Sequence, residues 1–326
     1  MKINFVGLFN QPGYVGEVSD ETHIARELES LGHSVRKLPR DEWREYVIEK
    51  FPVGKYKNIP EDLKADINLI AKWHHFYDGD FIDALREKSG GPVFYWVWDF
   101  MDNEGFPEWH VKMTRAADLY LSGEEGIKVK YKAIGVKHYY FQMDVCDGKI
   151  PVYYNLKKVH DVIFTGSCIG QGNRKEWLQI INKEVPVKIW GWGHEDWKKL
   201  GFEANPPVYG AEYNKLIAES HIVLGFSVEP NCFGYWSNRV GKVLRAGGFL
   251  LQEYSPGMEQ YLDNRAVDYF SSPEEAVIKI KRHLLNKNTE LFFSEEVNKY
   301  TSRYKVKQLE ILMDRYLKGK PEEWIL

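Results

Sequence analysis

Apolar residues along this chain come in short runs divided by stretches of mixed polarity. In the first half, "KINFVGLF", "SVRKLP", "ADINLIAKW", "GPVFYWVWDF" and "ADLYLSG" read as strands. They are short, rich in β-branched and aromatic residues, and bounded by Gly, Pro, Asn or Asp. "ETHIARELESLGH" instead places Ile24, Leu28 and Leu31 at i, i+4 and i+7, a helical period that Gly32 stops. The second half repeats the alternation. "HDVIFTG", "VPVKIWGWG", "HIVLGF" and "FLLQEY" read as strands. "RKEWLQIINKE", "EYNKLIAES", "SNRVGKVLRAGG" and "SPEEAVIKIKRHLLNK" read as helices, the last with Ala276, Ile280 and Leu284 spaced by four. "YKVKQLEILMDRYLKG" is a further helix after the second sheet is complete.

Strands alternating with helices predict parallel sheets with helices on both faces. The pattern restarts after "DVCDGKIPVYYNLKK", so the fold class is α/β with two doubly wound, Rossmann-like domains, residues 1–155 and 156–305. Two such sheets in tandem predict a cleft, and ligands of open parallel sheets bind beyond the carboxyl ends of the strands. Residues in loops directly after strands are therefore the ones to inspect.

Composition changes this picture little. The 326 residues exceed what one core covers, which agrees with two domains. Apolar content of 44 % and charged content of 28 % suit a globular enzyme. A formal net charge of -3 removes any bulk pull toward nucleic acid or anionic lipid. The three cysteines are odd in number and form no CxxC pair, so reduced thiols in a cytoplasmic setting are expected. "MKINFVGLFN" breaks at Asn10 and reads as a first strand, not a signal peptide. No apolar run reaches the length of a membrane span.

Two loops carry candidate chemistry. In "FTGSCIGQGNRKEW" a strand ends at Thr165, and a loop with Gly166, Ser167, Gly170 and Gly172 follows. Asn173 stands where an N-cap belongs, with Glu176 three residues on, as in a capping box. Arg174 and Lys175 occupy the first helical turn, which the dipole already makes positive. An anion at that terminus, such as a phosphate, would make them sensible; solvated basic residues on a turn are the alternative. In "SNRVGKVLRAGGFLLQE", Ser237 is a candidate N-cap. Arg239 and Lys242 share one face, Gly241 sits inside the helix, and Gly247 and Gly248 end it.

These segments resemble the CgeB-like spore-maturation group of glycosyltransferases, which is related to glycosyltransferase family 4 and has the GT-B fold. The resemblance rests on "HDVIFTGS…NR", "VYGAEYNKLIAESHIVLGF", "SNRV…LRAGGFLLQEYSPGMEQY" and "SPEEAVIKI", with "HIARELESLGHSV" and "PVFYWVWDF" in the first half. It implies a nucleotide-sugar donor, a UDP-sugar, bound by the second domain. Gly166, Ser167, Arg174 and Lys175 would face the donor phosphates, and Val208, Tyr209 and Gly210 the nucleobase. Arg239 would be a second cation, and Gly247 and Gly248 would give the diphosphate clearance. Residues 306–326 would form a helix crossing back to the first domain.

One position departs from the group. Relatives carry a glutamate about three residues after the arginine, where it holds the donor ribose; this chain has Lys242. Lysine cannot accept a hydrogen bond from a hydroxyl. Either ribose recognition comes from elsewhere, with Glu229 and Glu253 as the candidate replacements, or Lys242 serves the donor phosphates.

The first domain is then expected to hold the acceptor and any base. Asp99 and Asp102 follow a strand, as do Glu17, Asp20 and His23, and a carboxylate or imidazole there could deprotonate a hydroxyl. Asp99, Asp20 and His23 are the candidate catalytic groups. The pair His74–His75 lacks a partner at ligand spacing, and no DxD element follows a strand, so no metal or other cofactor is expected. The expected activity is transfer of a sugar to an acceptor hydroxyl; spacing does not fix the stereochemistry, and the resemblance implies retention. The acceptor is a glycan, a small molecule or modified DNA. A phage-type enzyme acting on hydroxymethyl-pyrimidine DNA is one rival, for which the lysines and aromatics of "KVKYKAIGVKHYY" would form a patch. A nucleotide-sugar-binding protein without chemistry is the other.

Overall fold

The computed structural model describes residues 1–9, 19–39, 61–71, 78–102, 105–142, 146–149, 151–153, 156–168, 172–262, 267–286 and 301–320. Backbone contacts divide the chain into two units, 1–144 with 302–326 and 145–301.

In the first unit the apolar runs become β1 (Lys2–Gly7), β2 (Ser34–Pro39), β3 (Ile67–Ala71), β4 (Val93–Val97) and β5 (Leu119–Ser122), and a sixth strand, β6 (Tyr139–Phe141), follows. All pair in parallel in the order β2-β1-β3-β4-β5-β6. Strands β3, β4 and β5 are buried along their whole length, as expected of a sheet covered on both faces. The helices are α1 (Asp20–Ser30), α2 (Gly79–Ser89), α3 (Glu108–Ala116) and α4 (Lys128–Ala133). Ile24 and Leu28 of α1 are fully buried, while Leu31 is the C-cap, with Gly32 behind it at φ 86°.

The second unit repeats the scheme with β7 (His160–Thr165), β8 (Lys188–Trp190), β9 (Glu203–Asn205), β10 (Ser220–Gly225), β11 (Leu250–Glu253) and β12 (Val267–Phe270). Their order is β12-β11-β10-β7-β8-β9, again all parallel. The chain moves outward from β7 through β8 and β9, then crosses to β10 on the other side. The carboxyl ends of β7 and β10 thus mark a topological switch point, where such sheets open a crevice. The helices are α5 (Arg174–Glu184), α6 (His194–Lys199), α7 (Gly210–Ala218), α8 (Arg239–Arg245), α9 (Met258–Tyr261) and α10 (Pro273–Asn286). Phe164, Trp197, Phe226 and Phe270 stack edge-to-face in the core of this unit. Ala276 and Ile280 of α10 are buried in that core and Leu284 packs against it.

The last helix, α11 (Ser302–Leu317), lies with the first unit. Its Tyr316 ring meets Phe94 at 5.2 Å, and its Glu310 pairs with His33 at 3.0 Å. Among the described residues, no helix is long and apolar enough to cross a membrane.

Candidate functional site

The site grows from the ends of β7 and β10. Arg239, at the start of α8, reaches back across the switch point. Its Nε donates to the carbonyl of Thr165 at 2.7 Å and its Nη1 to that of Phe226 at 3.3 Å. Its guanidinium lies 5.0 Å from the centroid of the Phe164 ring. Arg174, at the start of α5, stands over the same ring at 5.7 Å and donates from Nη1 to the carbonyl of Ser167 at 3.4 Å. The two cations therefore share one aromatic floor, an arrangement in which each attracts the ring and repels the other.

Neither arginine makes an ion pair among the described residues. Burial, and then the Arg174 charge, lower the pKa of Arg239 to about 10, so it stays protonated at neutral pH. Burial also lowers that of Arg174, against an opposing pull from Glu253. Arg174 is buried, and its Nε has no hydrogen-bond partner among the described residues. A buried charged donor left unanswered costs free energy, on the order of 1–3 kcal/mol or more.

Glu253 ends β11 on the other side of the switch point. Its Oε2 accepts the backbone N–H of Ser227 at 3.1 Å, and its Oε1 has no partner among the described residues. Burial raises its pKa. Ser227 Oγ accepts from Ser255 at 3.2 Å and from Gln252 Nε2 at 3.4 Å. A cluster of hydroxyl, amide and carboxylate groups thus lines the β10–β11 side.

Glycines at this edge make room for backbone and guanidinium. A Cβ on Gly166 would stand 2.9 Å from Nη2 of Arg239 and 2.6 Å from the Phe164 ring. A Cβ on Gly191 would fall 1.9 Å from the carbonyl oxygen of Gly166, so the loops after β7 and β8 can touch only because Gly191 has none.

The structure brings Gly166, Ser167, Arg174 and Arg239 together. Lys242 is half-buried one turn into α8, and its charge and that of Arg239 both reach the phenol of Tyr213, whose pKa burial raises. Tyr213 approaches Oγ1 of Thr165 at 3.4 Å. Lys175 points outward and is exposed. Tyr209 is the N-cap residue of α7, beyond β9, and Gly210 follows at φ 56°, a conformation natural to glycine. Gly170 lies outside the described residues.

Three expectations are corrected. Asn173 holds the N-cap position of α5 but in αR backbone, with no side-chain cap bond, so the capping box does not form. Asn238, not Ser237, precedes α8, again without a side-chain cap. Gly247 and Gly248 lie at the far end of α8, where β11 begins, on the sheet edge opposite the arginines. Gly247 turns the chain at φ 76°, and a Cβ on Gly248 would strike Cγ2 of Ile217 at 2.4 Å. Their role is turning and helix packing rather than clearance for a diphosphate.

In the first unit, Asp20 is the buried first residue of α1, and His23 lies in the same turn, 1 % exposed. Ser19 caps that helix, its Oγ accepting from Thr22 N at 3.2 Å. Asp99 is half-buried just after β4, and Asp102 pairs with Lys130. Glu17, His74 and His75 lie outside the described residues. Tyr131 and Tyr139 of the lysine-rich segment are buried, so they offer no open face for stacking.

Sequence reasoning missed Glu124, two residues beyond β5. It is fully buried, accepts from Met101 N at 2.7 Å and Tyr131 Oη at 2.7 Å, and takes a longer bond from Ser122 Oγ at 3.3 Å. Tyr131 in turn receives the Tyr120 hydroxyl at 3.0 Å and stands 3.2 Å from His110 Nε2. Burial raises the carboxyl of Glu124 to about 7 and lowers His110 to about 3. Met101 follows Asp99 by two residues, so this network fixes the loop that carries it.

Comparison with known proteins agrees with this geometry. Residues 174–307 match the family model described as glycosyl transferase-like, which spans both arginines and Glu253. No curated protein sequence matches the chain. Among solved structures, Anabaena Alr3699/HepE, crystallised with UDP-glucose, superposes with a TM-score of 0.64 at 13 % identity, over 98 % of this chain and 100 % of its own. A glycosyltransferase from Rickettsia africae gives 0.66 at 12 % identity, over 98 % and 99 %. A mutant of the T4 phage protein BGT, in complex with UDP-glucose, gives 0.57 at 12 %, over the whole of both chains. Two six-stranded parallel sheets of this kind are the GT-B architecture. The chain has that fold, and the stretch that resembles the glycosyl transferase-like family, residues 174–307, falls almost wholly in its second unit.

Proposed function

We propose that the chain transfers a sugar from a UDP-sugar to an acceptor hydroxyl, with retention and without a divalent metal, in the cytoplasm. The observation that carries this is the pair Arg174–Arg239, held over Phe164 at the switch point with no carboxylate bonded to either among the described residues. A diphosphate answers both charges. In the reaction the C1–O bond to the β-phosphate breaks, the diphosphate keeps the electron pair, and C1 bonds to the acceptor oxygen. The acceptor proton leaves to a base. Asp99 is the most accessible of the three candidates, since Asp20 and His23 are buried. Cations fixed before the reaction stabilise the charge that develops on the leaving group, commonly the largest catalytic contribution. In HepE and BGT the ligand is UDP-glucose, which supports the same donor class here.

The test is a thermal-shift panel of nucleotides and nucleotide sugars on the full chain, followed by a transfer assay in EDTA. A ligand at 100 times its dissociation constant stabilises by about 2.7 kcal/mol. A shift with UDP and UDP-sugars that Arg174→Ala and Arg239→Lys weaken supports the reading. No shift with any nucleotide sinks it. A shift without hydrolysis or transfer leaves a binding protein instead of an enzyme.

A further inference from the structure

We infer that Trp192 is the platform on which the donor nucleobase stacks, an assignment that rests on the donor reading above. A single exposed apolar residue on a protein surface is ordinary; the distribution here is not. Among the described residues of the second unit, the exposed large apolar side chains are Val159, Trp192, Phe233, Tyr254, Ile278 and Leu285. The aliphatic ones lie before β7 or on the outer face of α10. The three aromatics all lie in loops after strand carboxyl ends, those of β8, β10 and β11. They ring the ligand edge of the sheet.

Trp192 differs from the other two. Phe233 packs its ring over Gly257, and Tyr254 meets Tyr269 edge-on at 5.8 Å. Trp192 is 62 % exposed, and its indole contacts no other ring among the described residues. Yet its backbone is fixed on both sides. Gly191 donates to the carbonyl of Asn205 at 3.1 Å, and the carbonyl of Trp192 accepts Cys168 N at 3.0 Å. Gly193, at φ 70°, then opens α6 by accepting from Asp196 N at 2.9 Å. The indole is thus carried by a loop bonded to the residue after Ser167, whose own carbonyl holds Arg174. A rigid, water-facing aromatic beside a phosphate cradle loses little freedom on binding.

The chemistry of the two sides assigns the occupant. The β10–β11 side offers Ser227, Glu229, Gln252, Glu253 and Ser255, which suit the many hydroxyls of a sugar. The loop after β8 is Gly191–Trp192–Gly193, with no side-chain acceptor between the glycines, and the next loop brings Tyr209. That side suits a flat π-surface. With the diphosphate on the arginines, base and sugar extend to opposite sides, and the base falls on the side of Trp192.

The experiment is calorimetry on the full chain with UDP, UDP-glucose and inorganic pyrophosphate, for wild type, Trp192→Ala and Trp192→Phe. Loss of a base–aromatic stack weakens binding roughly 5- to 150-fold. Trp192→Ala is expected to weaken UDP by at least about tenfold on that scale, with pyrophosphate unchanged and Trp192→Phe close to wild type. Quenching of indole fluorescence by UDP, lost in Trp192→Phe, is the accompanying signature. Unchanged UDP affinity in Trp192→Ala overturns the assignment, as does equal weakening of UDP and pyrophosphate, which would mean the loop itself had moved. Weakening of UDP-glucose alone would place the sugar on the indole and also overturn it. Should wild type bind neither UDP nor pyrophosphate, the donor reading falls with it; should wild type bind UDP normally, only the stacking assignment is at risk.

Discussion

Two clusters of buried polar groups, one around Glu124 and one around Arg174 and Glu253, lie just beyond strand carboxyl ends and are treated in opposite ways. In the first unit Glu124 shares its carboxylate among Met101, Ser122 and Tyr131, so both oxygens are answered from within the fold. In the second unit Arg174 Nε and Glu253 Oε1 have no hydrogen-bond partner among the described residues, close to the switch point. A polar group satisfied internally fixes a loop, whereas one left open costs stability unless something else binds it.

The largest test of that contrast is Arg239→Ala. Losing one preorganised cation should lower kcat/KM about 10²- to 10³-fold in a transfer assay. An effect below about threefold would put Arg239 with the scaffold. Glu124 should act on stability instead. Its carboxyl keeps its proton in the folded state up to about pH 7, whereas the unfolded chain loses it near 4.5. Its contribution is therefore full below about pH 4.5 and falls as pH rises through 7, by about 3 kcal/mol. Denaturant titrations across that range should show this decline in wild type and a flatter profile in Glu124→Gln; equal slopes would remove Glu124 from the account. Gly248→Ala is expected to cost roughly 1–3 kcal/mol by pushing on Ile217, with donor KM unchanged. A rise in KM without loss of melting temperature would restore Gly248 to the ligand. Least affected should be Lys175→Ala. Its side chain is exposed, and a change in donor affinity beyond about threefold would mean it turns inward when donor binds.

Most of the fold was legible because buried parallel strands write themselves as apolar runs. The elements that escaped were β6, β9 and β12 with helices α2, α3, α4, α6 and α9. Those strands are three or four residues long, and "EAN" carries no apolar pattern at all. Arg174 and Arg239 could be read because cations at helix starts conflict with the helix dipole. The caps misled, because Asn173 and Asn238 take αR backbone, which letters do not reveal. Glu124 could not be found from its neighbours in sequence. Its burial comes from Tyr131 and Tyr139, which fold over it from later in the chain. Gly247 and Gly248 read as ligand clearance in the sequence, but they lie at the far end of α8 from Arg239, where β11 begins.

The contact between Gly166 and Gly191 has a practical consequence for redesign. Since the described residues of the two loops are joined through backbone, position 192 is a plug-in site: its side chain can be exchanged without re-laying the loop beneath the arginines. A saturation library confined to that one codon should rescale nucleotide affinity while leaving the thermal stability of the protein where it began.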